Sequence, residues 1–310
     1  MADRVILHVD QNSFYACVEM LRWPVLRDVP CAVAGDPVNR HGIILAKNQL
    51  AKKAGVKTAE TIWEAKQKCP DLILVPPDYA RYIHYSRLAR KLYCEYTDRV
   101  ESFGIDECWL DLTGCPRDDG IAVAEELRRR VKEELGLTVS VGVSWNKIYA
   151  KLGSDLKKPD AVTAITRDNY LDVVYPRPVE ELLYVGRATS RKLRRIGVRT
   201  IGELVDLGPS YLRSIFGVVG LSLYTFATGL DETPVTKAGR EVPVKSVGNS
   251  LTTHHDLYTE QEIKAVTYML SESVTSRLRD VGMAARTVQI SMRDYQLYNF
   301  ERQASLPFPT

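Results

Sequence analysis

The stretch from Arg4 to Met20 decides the fold. It reads Arg-Val-Ile-Leu-His-Val-Asp over residues 4–10 and Ser-Phe-Tyr-Ala-Cys-Val-Glu-Met over residues 13–20. The first run is short and apolar and ends in a carboxylate, which predicts a buried strand with Asp10 at its C-terminal end. The second run predicts a helix, and Ser13 is a residue type that caps helix N-termini. The chain therefore opens with a strand that passes directly into a helix.

The pattern that follows extends this unit into a sheet. Strands are predicted at Val100–Ile105, Cys108–Leu112, Thr138–Ser144 and 161–165, and helices at 79–98, 121–135 and 146–156. An insertion after the first helix carries a strand at 30–35 and helices at 47–55 and 61–69. The order strand, helix, strand, strand, helix, strand is the split β-α-β arrangement of a ferredoxin-like sheet. We therefore expect an α+β fold.

The second half of the chain predicts two further domains. Residues 166–240 are helical in pattern, contain frequent glycines and end in an exposed linker. Residues 243–310 predict a strand near 244–252, a helix near 259–281 and a long strand near 285–303. That is little structure with which to enclose an apolar core, so we expect this last α/β domain to be incomplete.

The composition bounds the class of protein. The 310 residues are 45% hydrophobic and 26% charged, which is typical of a globular protein. No apolar run approaches the roughly 20 residues that cross a bilayer, and the N-terminus lacks a signal peptide, so we expect a cytoplasmic protein without a membrane partner. The six cysteines form no Cys-x-x-Cys pair, which favours reduced core thiols over a zinc site. A net charge of +3 permits a nucleic-acid partner without indicating one.

Three carboxylates are expected to meet at one edge of the sheet. Asp10 ends the first strand, while Asp106 and Glu107 lie between two later ones, and the first and third strands of a ferredoxin-like sheet are neighbours. Clustered carboxylates need cations to stay ionised, and magnesium prefers oxygen ligands. Two such ions serve in-line displacement at phosphorus, and the nearby lysines Lys52 and Lys158 suit a triphosphate. The alternative is a set of strand-end acids and helix lysines that simply face solvent.

Five segments resemble the motifs of Y-family DNA polymerases, the error-tolerant enzymes of translesion synthesis. They are, in chain order, His8–Glu19, Ser102–Thr113, Thr138–Lys151 running on to Pro159, Phe216–Gly220 with Ala227–Val235, and Lys245–Ser250. The match covers nearly the whole chain in the right order. It implies a DNA-directed DNA polymerase that transfers deoxynucleotides (dNTPs) to a primer 3′-hydroxyl with low fidelity, in the SOS response to DNA damage.

The resemblance also implies four structural parts. The palm covers residues 1–19 and 76–165, and the fingers cover 20–75. A helix-hairpin-helix thumb covers 166–240 and the little finger covers 243–310.

Roles for individual residues follow from the resemblance. The metal ligands are Asp10, Asp106, Glu107 and the backbone carbonyl of Gln11, which hold two Mg²⁺ ions, with Mn²⁺ able to substitute. Tyr15 is the steric gate, whose ring excludes a ribose 2′-hydroxyl. Contacts to the nucleotide are implied for Phe14, Tyr15, Ala46, Gln49, Lys52 and Lys158. Ile43 and Leu45 roof the nascent base pair.

Two departures from the family pattern indicate which subgroup of the Y family this sequence resembles. Asp10-Gln11-Asn12 stands where many relatives have Asp-x-Asp. Ala46, Gln49 and Lys52 stand where relatives often have Thr, Tyr and Arg. Together these features predict a protein nearer the UmuC branch, the catalytic subunit of polymerase V.

Contacts with primer-template DNA are implied in the last two domains. Gly186-Arg-Ala-Thr-Ser-Arg-Lys-Leu193 resembles a helix-hairpin-helix, which offers backbone N–H groups to a phosphate. Tyr184 replaces the usual first glycine of that hairpin, and the alternative is a basic helix face in solvent. The predicted DNA contacts are Gly186, Arg187, Arg191 and Lys192 of the thumb, with Lys245, Ser246, Asn249, Arg286 and Arg293 on little-finger strands.

Other partners and functions stay open at this point. Gln296–Phe300 resembles the peptide by which bacterial polymerases bind the sliding clamp, but a turn inside the little finger is the favoured interpretation; further accessory subunits are equally open. A catalytically idle DNA-binding accessory protein that retains the polymerase fold is the main alternative. A nucleotide cyclase, which shares the sheet and the two-metal chemistry, is opposed by the thumb and little-finger motifs.

Overall fold

The computed structural model describes residues 3–36, 42–240 and 243–309. Its contacts divide the chain into two compact units. The first consists of residues 1–34 and 44–240, and the second of residues 35–43 and 241–310. Within the described part of the chain, no helix is both long and apolar enough to span a membrane.

The first unit contains two sheets and a set of helices. The strands are β1 (Ile6–Gln11), β2 (Cys31–Ala34), β3 (Ile44–Lys47), β4 (Ile73–Val75), β5 (Val100–Ser102), β6 (Glu107–Asp111), β7 (Val139–Ser144) and β8 (Val162–Ala164). The helices are α1 (Phe14–Arg22), α2 (Gln49–Lys53), α3 (Ile62–Lys68), α4 (Tyr79–Tyr93), α5 (Gly120–Leu135), α6 (Lys147–Leu156), α7 (Tyr170–Val174), α8 (Arg187–Arg195), α9 (Ile201–Asp206), α10 (Gly208–Phe216) and α11 (Val218–Ala227). Short 3-10 helices lie at Pro24–Arg27 and Val179–Glu181.

The larger sheet has the strand order β5-β6-β1-β7-β8. Strand β1 is antiparallel to both β6 and β7, and β8 is added parallel to β7. Leaving out β8, this is the order of a ferredoxin-like sheet, so the predicted α+β fold is confirmed. All six residues of β1 are buried, as expected of a central strand covered on both faces.

Helix α6 packs very closely on β7. A β-carbon placed on Gly142 would lie 1.8 Å from the carbonyl oxygen of Ala150, so only glycine permits this approach. Helices α1, α4 and α5 contribute to the main apolar core through residues such as Val18, Tyr82 and Leu127. This packing fixes the backbone from which the carboxylates of the predicted site project.

The inserted segment forms a three-stranded sheet with the order β3-β2-β4. Asn48 organises it, because its side-chain oxygen accepts a hydrogen bond from the Ala51 N–H at the start of α2. The same side chain donates to the carbonyl oxygens of Leu26 and Val29, at 3.1 and 2.7 Å. Asn48 Oδ1 also accepts from the Cys31 N–H of β2 at 3.2 Å, so one buried amide connects the 3-10 helix, β2 and α2.

The helical segment after β8 shares a second apolar core with α6 and its preceding turn. Tyr149 donates to the carbonyl oxygen of Ala227, and Trp145 donates to that of Gly229, at 2.7 and 2.8 Å. Gly229 has a φ of +70°, and a β-carbon there would lie 2.8 Å from both aromatic rings. The C-terminal end of α11 is thereby held against α6.

The second unit contains α12 (Glu260–Asp280), β9 (Thr287–Arg293) and β10 (Asn299–Ser305). Two predictions are wrong here. Residues 244–252 form no strand; instead Asn249 donates to Ser273 Oγ at 3.0 Å, and Arg277 of α12 donates to the Gly248 carbonyl at 2.7 Å. The single long strand predicted at 285–303 is an antiparallel hairpin, β9 with β10. Every residue of both strands is exposed, and no residue of α12 is buried.

Candidate active site

The three predicted metal ligands come from two adjacent strand ends. Asp10 lies near the end of β1 and is in register with Glu107, the first residue of β6. Asp106 directly precedes Glu107, and its carbonyl oxygen accepts a hydrogen bond from the Gln11 N–H at 3.0 Å. The structure therefore brings Asp10, Asp106 and Glu107 to one edge of the sheet, as the strand pattern predicts.

Lysines from α6 and the turn after it pair with two of these carboxylates. The Lys158 Nζ lies 2.8 Å from Asp10 Oδ2 and 2.7 Å from Asp155 Oδ1. The Lys151 Nζ donates to Glu107 Oε2. In this side-chain arrangement, the described residues contain no group of three His, Cys, Asp or Glu assembled for a metal ion. Rotation of these carboxylates away from their lysines is required before they can converge on a cation.

Burial raises the pKa values of two of the carboxylates. It raises the pKa of Asp10 to about 6, despite the opposing effect of Lys158. Burial, with a contribution from the charge of Glu107, also raises the pKa of Asp106. A divalent cation between these groups would stabilise their ionised forms, and carboxylate oxygens are the ligands that Mg²⁺ prefers. The donor set therefore fits the metal ions that the sequence predicts.

The pKa of Glu107 is shifted in the opposite direction, to a lower value. Burial alone would raise its pKa, but the close approach of the His8 imidazole and the hydrogen bond from Lys151 more than offset this and lower the pKa to about 2. His8 lies in β1 and is fully buried, with its Nδ1 2.8 Å from Ser154 Oγ and its Nε2 3.2 Å from Glu107 Oε2. Sequence reasoning assigned no role to His8 or Lys151. Their positions in the sequence could have indicated a role, since His8 lies two residues before Asp10 and Lys151 lies within the third motif.

Asn12 has a structural role of its own. Its Nδ2 donates to Ser140 Oγ at 3.0 Å, and its Oδ1 accepts from the Asp160 N–H at 2.8 Å. An amide supplies both a donor and an acceptor, which a carboxylate in its place would not. The departure from Asp-x-Asp is thus explained by hydrogen bonds that connect β1 with β7 and the loop after α6.

Tyr15 belongs to an aromatic cluster at the start of α1. Its ring stacks on that of Tyr82, with centroids 4.2 Å apart and an interplanar angle of 10°. Tyr82 donates to the buried carboxylate of Glu19 at 2.7 Å, and Tyr79 and Phe14 contact the same rings edge-on or tilted. The ring of Tyr15 is therefore held on a rigid base, as a steric gate requires.

The other predicted nucleotide contacts lie on the inserted segment. Ala46 is in β3, Gln49 begins α2 and Lys52 is exposed on α2. Lys47, to which the sequence assigned no role, has a pKa lowered by burial and by the charge of Lys52. Ile43 is 40% exposed, and Leu45 is half-buried in β3. Their roles as nucleotide contacts and roof stay predictions.

In the predicted helix-hairpin-helix, the turn before α8 contains a residue in the left-handed conformation that usually requires glycine. Gly186 is the N-terminal cap of α8, and Arg187, Arg191 and Lys192 lie on that helix. Tyr184 has a φ of +70°, the left-handed conformation that glycine adopts without strain. The turn therefore has a backbone conformation that a glycine at this position would also adopt. A DNA-binding role for this basic helix stays a prediction.

The predicted DNA contacts of the second unit lie on fewer strands than expected. Arg293 is in β9, where its Nε donates to Asn299 Oδ1 at 2.8 Å, and Arg286 directly precedes that strand. Lys245, Ser246 and Asn249 lie in the segment that forms no strand.

Gln296–Phe300 lies at the hairpin turn between β9 and β10 and continues into β10. The Asp294 carboxylate accepts hydrogen bonds from the N–H groups of Gln296 and Tyr298, both at 2.9 Å, and Leu297 has a φ of +70°. The favoured interpretation of this segment as a turn is therefore confirmed.

A ferredoxin-like sheet with carboxylates at adjoining strand ends is an arrangement that suits a two-metal nucleotidyl transferase. Comparisons with known proteins make the family explicit. The impB/mucB/samB family matches residues 9–155, and the C-terminal domain of that family matches residues 244–310. The chain belongs to the Y family of DNA polymerases, and it is a DNA-directed DNA polymerase of the translesion type.

Individual relatives agree with this assignment. DNA polymerase IV of Acetivibrio thermocellus is 52% identical over 309 residues, which cover 99% of this chain and 77% of the relative. DNA polymerase IV 1 of Bacillus subtilis is 39% identical over 307 residues, with coverages of 99% and 74%. A solved Y-family DNA polymerase chimera, Dbh-Dpo4(243-245)-Dbh, has a TM-score of 0.86 at 24% identity, covering 98% of this chain and 88% of its own.

Two finer expectations receive no support from these comparisons. The similar proteins are named DNA polymerase IV, so the expected likeness to the UmuC branch is not supported. The expected incompleteness of the little finger is likewise not supported by them; the C-terminal-domain model of the family matches residues 244–310. The substitutions at Asn12, Ala46, Gln49 and Lys52 therefore do not define the subgroup.

Proposed function

We propose that this polymerase extends a primer past damaged template bases with two Mg²⁺ ions held by Asp10, Asp106, Glu107 and the carbonyl of Gln11. The observation that carries the proposal is the register of Asp10 in β1 with Glu107 in β6; Asp106 directly precedes β6, so all three carboxylates belong to adjoining strand ends. The raised pKa values of Asp10 and Asp106 support it, because buried carboxylates of this kind gain most from a cation. Mn²⁺, which also takes oxygen ligands, can substitute.

The bound metals would activate the primer 3′-hydroxyl and stabilise the leaving pyrophosphate. The chain's own residues prepare the substrates for that chemistry. The ammonium groups of Lys158 and Lys52 bind the triphosphate of a dNTP, and Lys158 leaves Asp10 as it does so. Tyr15, held by its stack on Tyr82, excludes a ribose 2′-hydroxyl. Phe14, Ala46 and Gln49 complete the nucleotide site.

We assign the domains by the same reasoning. The palm covers 1–19 and 76–165, the fingers 20–75, the thumb 166–240 and the little finger 243–310. The thumb binds primer-template DNA through backbone N–H groups at the start of α8 and through the charges of Arg187, Arg191 and Lys192. In the little finger, the cationic and polar residues Lys245, Ser246, Asn249, Arg286 and Arg293 bind phosphates without reading sequence.

The base-pair roof limits which lesions are accepted. Ile43 and Leu45 are bulky where some relatives have alanine, so large adducts on the template base should be bypassed poorly. Primer extension opposite a bulky adduct and an abasic site tests this with the Ile43→Ala variant. We expect Ile43→Ala to bypass the bulky adduct better than wild type does, with no such gain at the abasic site. Equal bypass by the two proteins would contradict the proposal.

Further proposals concern the cellular setting. A cytoplasmic location and action in the SOS response agree with an enzyme that works on DNA. A sliding clamp or other accessory subunit remains a candidate partner, but the turn at Gln296–Phe300 is built by its own hydrogen bonds to Asp294 and gives that role no particular support.

The alternative of an idle DNA-binding protein is not favoured, because such a protein has no need for buried, clustered carboxylates. Single-nucleotide primer extension with Mg²⁺ separates the two functions. Wild type and the Asp118→Asn variant, which changes an exposed acid away from the site, should both extend the primer. Asp106→Ala should lose extension while still binding primer-template DNA. Absence of extension by the folded wild type on every template would support the idle protein instead.

A further inference from the structure

His8 is fully buried beside the predicted metal ligands. It lies in β1, and its ring contacts that of Trp109 edge-on with centroids 5.3 Å apart. Its Nδ1 is 2.8 Å from the hydroxyl oxygen of Ser154 on α6. The imidazole is therefore held on two sides by a neighbouring strand and a helix.

The other ring nitrogen points at Glu107. His8 Nε2 lies 3.2 Å from Glu107 Oε2, but it has no well-aligned hydrogen bond among the described residues. A buried polar atom without a good partner is unfavourable, and such atoms are nearly always hydrogen-bonded in folded proteins. A small rotation of the Glu107 side chain would supply the partner.

The hydrogen bonds of Ser154 decide which ring nitrogen carries a proton. The single hydroxyl proton of Ser154 can go to His8 Nδ1 or to the Lys151 carbonyl oxygen, which is 2.7 Å away. If it goes to Nδ1, a neutral ring carries its own proton on Nε2. If it goes to Lys151, a neutral ring would donate from Nδ1 to the Ser154 hydroxyl oxygen, and its bare Nε2 would direct a lone pair at an ionised carboxylate, which disfavours this arrangement. The arrangement in which Ser154 donates to Nδ1 is therefore favoured, and in it His8 offers an Nε2–H to Glu107.

We propose that His8 is a positioning residue that fixes the Glu107 carboxylate for metal binding by donating from Nε2 to Oε2. Lys151 donates to the same oxygen, so both donors converge on Oε2 and leave Oε1 as the oxygen available to a cation. When the carboxylate leaves Lys151 for a metal, the bond from His8 keeps its orientation. Hydrogen bonds of this kind to metal-binding carboxylates typically change metal affinity by about 10–100-fold.

This inference rests on the proposed role of Glu107 as a metal ligand. The experiment measures Mn²⁺ binding by electron paramagnetic resonance in the full chain, together with the Mg²⁺ dependence of single-nucleotide incorporation and the melting temperature. His8→Leu removes the donor, while His8→Gln keeps an N–H near the position of Nε2. Ser144→Ala is the matched control, because it removes a buried hydrogen bond to the Ile165 carbonyl elsewhere in the same sheet.

We expect Mn²⁺ binding to weaken about tenfold in His8→Leu and by less than about threefold in His8→Gln and Ser144→Ala. Wild-type Mn²⁺ affinity in His8→Leu would overturn the positioning role. So would a loss of Mn²⁺ affinity in both His8 variants that is proportional to the fall in their melting temperatures. Glu107→Gln separates the two claims. If it binds Mn²⁺ like wild type, the proposed role of Glu107 as a metal ligand fails; if it binds poorly while His8→Leu binds normally, only the role of His8 fails.

A second measurement covers the case in which His8→Leu does not fold. Nitrogen-15 NMR of the imidazole in the wild-type protein reports which ring nitrogen carries the proton. The positioning role predicts a proton on Nε2 of His8. A neutral ring protonated only on Nδ1 would overturn it.

Discussion

The ammonium group of Lys158 lies 2.8 Å from a carboxylate oxygen of Asp10. Glu107, in register with Asp10 across the strand pair, is held in the same way by Lys151. Two of the three predicted metal ligands are thus neutralised by lysines. When a nucleotide binds together with its metal ion, Lys158 can move from Asp10 to the phosphate oxygens while the metal ion takes its place on Asp10. Each charged group then still has a partner of opposite charge.

The first prediction concerns Lys158. The Lys158→Met variant should bind dNTP about tenfold more weakly, since a charge-assisted contact to phosphate is lost. It should bind Mn²⁺ more tightly than wild type when no nucleotide is present, because Asp10 is then released. Steady-state KM for dNTP and Mn²⁺ titration check the two effects. Lys157→Met, at the exposed neighbouring position, should change neither; weaker Mn²⁺ binding in Lys158→Met would contradict the exchange.

The second prediction concerns pH. Because burial raises the pKa of Asp10 to about 6, this carboxyl is mostly protonated below pH 6 and ionised above it. A metal must displace that proton, so Mn²⁺ affinity should rise about tenfold per pH unit up to about pH 6 and level off above it. Removal of Lys158 removes a charge that lowers the Asp10 pKa, so the plateau of Lys158→Met should begin at higher pH. A profile that is flat between pH 5 and 7 would show that Asp10 is not a ligand.

The third prediction concerns the choice of sugar. Tyr15→Ala removes the ring that stacks on Tyr82 and should raise the efficiency of ribonucleotide incorporation relative to dNTP by at least about tenfold. The measurement is kcat/KM for each nucleotide. Tyr211→Ala, at a half-exposed tyrosine on α10, serves as the control and should keep wild-type discrimination. Unchanged discrimination in Tyr15→Ala would remove the steric-gate assignment.

The fourth prediction concerns the turn before α8. Tyr184 has a φ of +70°, which costs a residue with a β-carbon about 1 kcal/mol relative to glycine. Tyr184→Gly should therefore be about 1 kcal/mol more stable to unfolding than Tyr184→Ala, since both lose the contact of the ring with Phe226 and only alanine keeps the strain. Urea denaturation of the two variants makes the comparison. If the two variants were equally stable, or the alanine variant were more stable, the backbone of the turn would have to leave the left-handed conformation in the alanine variant.

The sheet and its carboxylates could be predicted from the sequence because both are governed by short-range patterns. The apolar run that ends at Asp10 and the position of Asp106 and Glu107 between two strands determine which edge they share. The partners of those carboxylates could not be predicted. Lys151 and Lys158 reach Glu107 and Asp10 through long, flexible side chains, and their positions depend on how closely α6 packs at Gly142.

The last domain was predicted less well, also for physical reasons. Residues 244–252 contain residue types common in strands, but a strand needs a hydrogen-bonding neighbour, and this segment is tied to α12 instead. The turn favoured at Gln296–Phe300 divides the predicted long strand into the hairpin of β9 and β10. Asp294 can accept hydrogen bonds from the backbone N–H groups that follow it, which is a common way to begin a turn.

The central claim is that Asp10, Asp106 and Glu107 together hold the metals of nucleotidyl transfer. Its most direct test is the stoichiometry of Mn²⁺ bound to the complex of this protein with primer-template DNA and a non-hydrolysable dNTP, by electron paramagnetic resonance. We predict two ions per complex in wild type and in Asp118→Asn. Asp106→Asn should bind fewer ions and incorporate nucleotides at least about a thousandfold more slowly. Two tightly bound ions and normal incorporation in Asp106→Asn would contradict the claim.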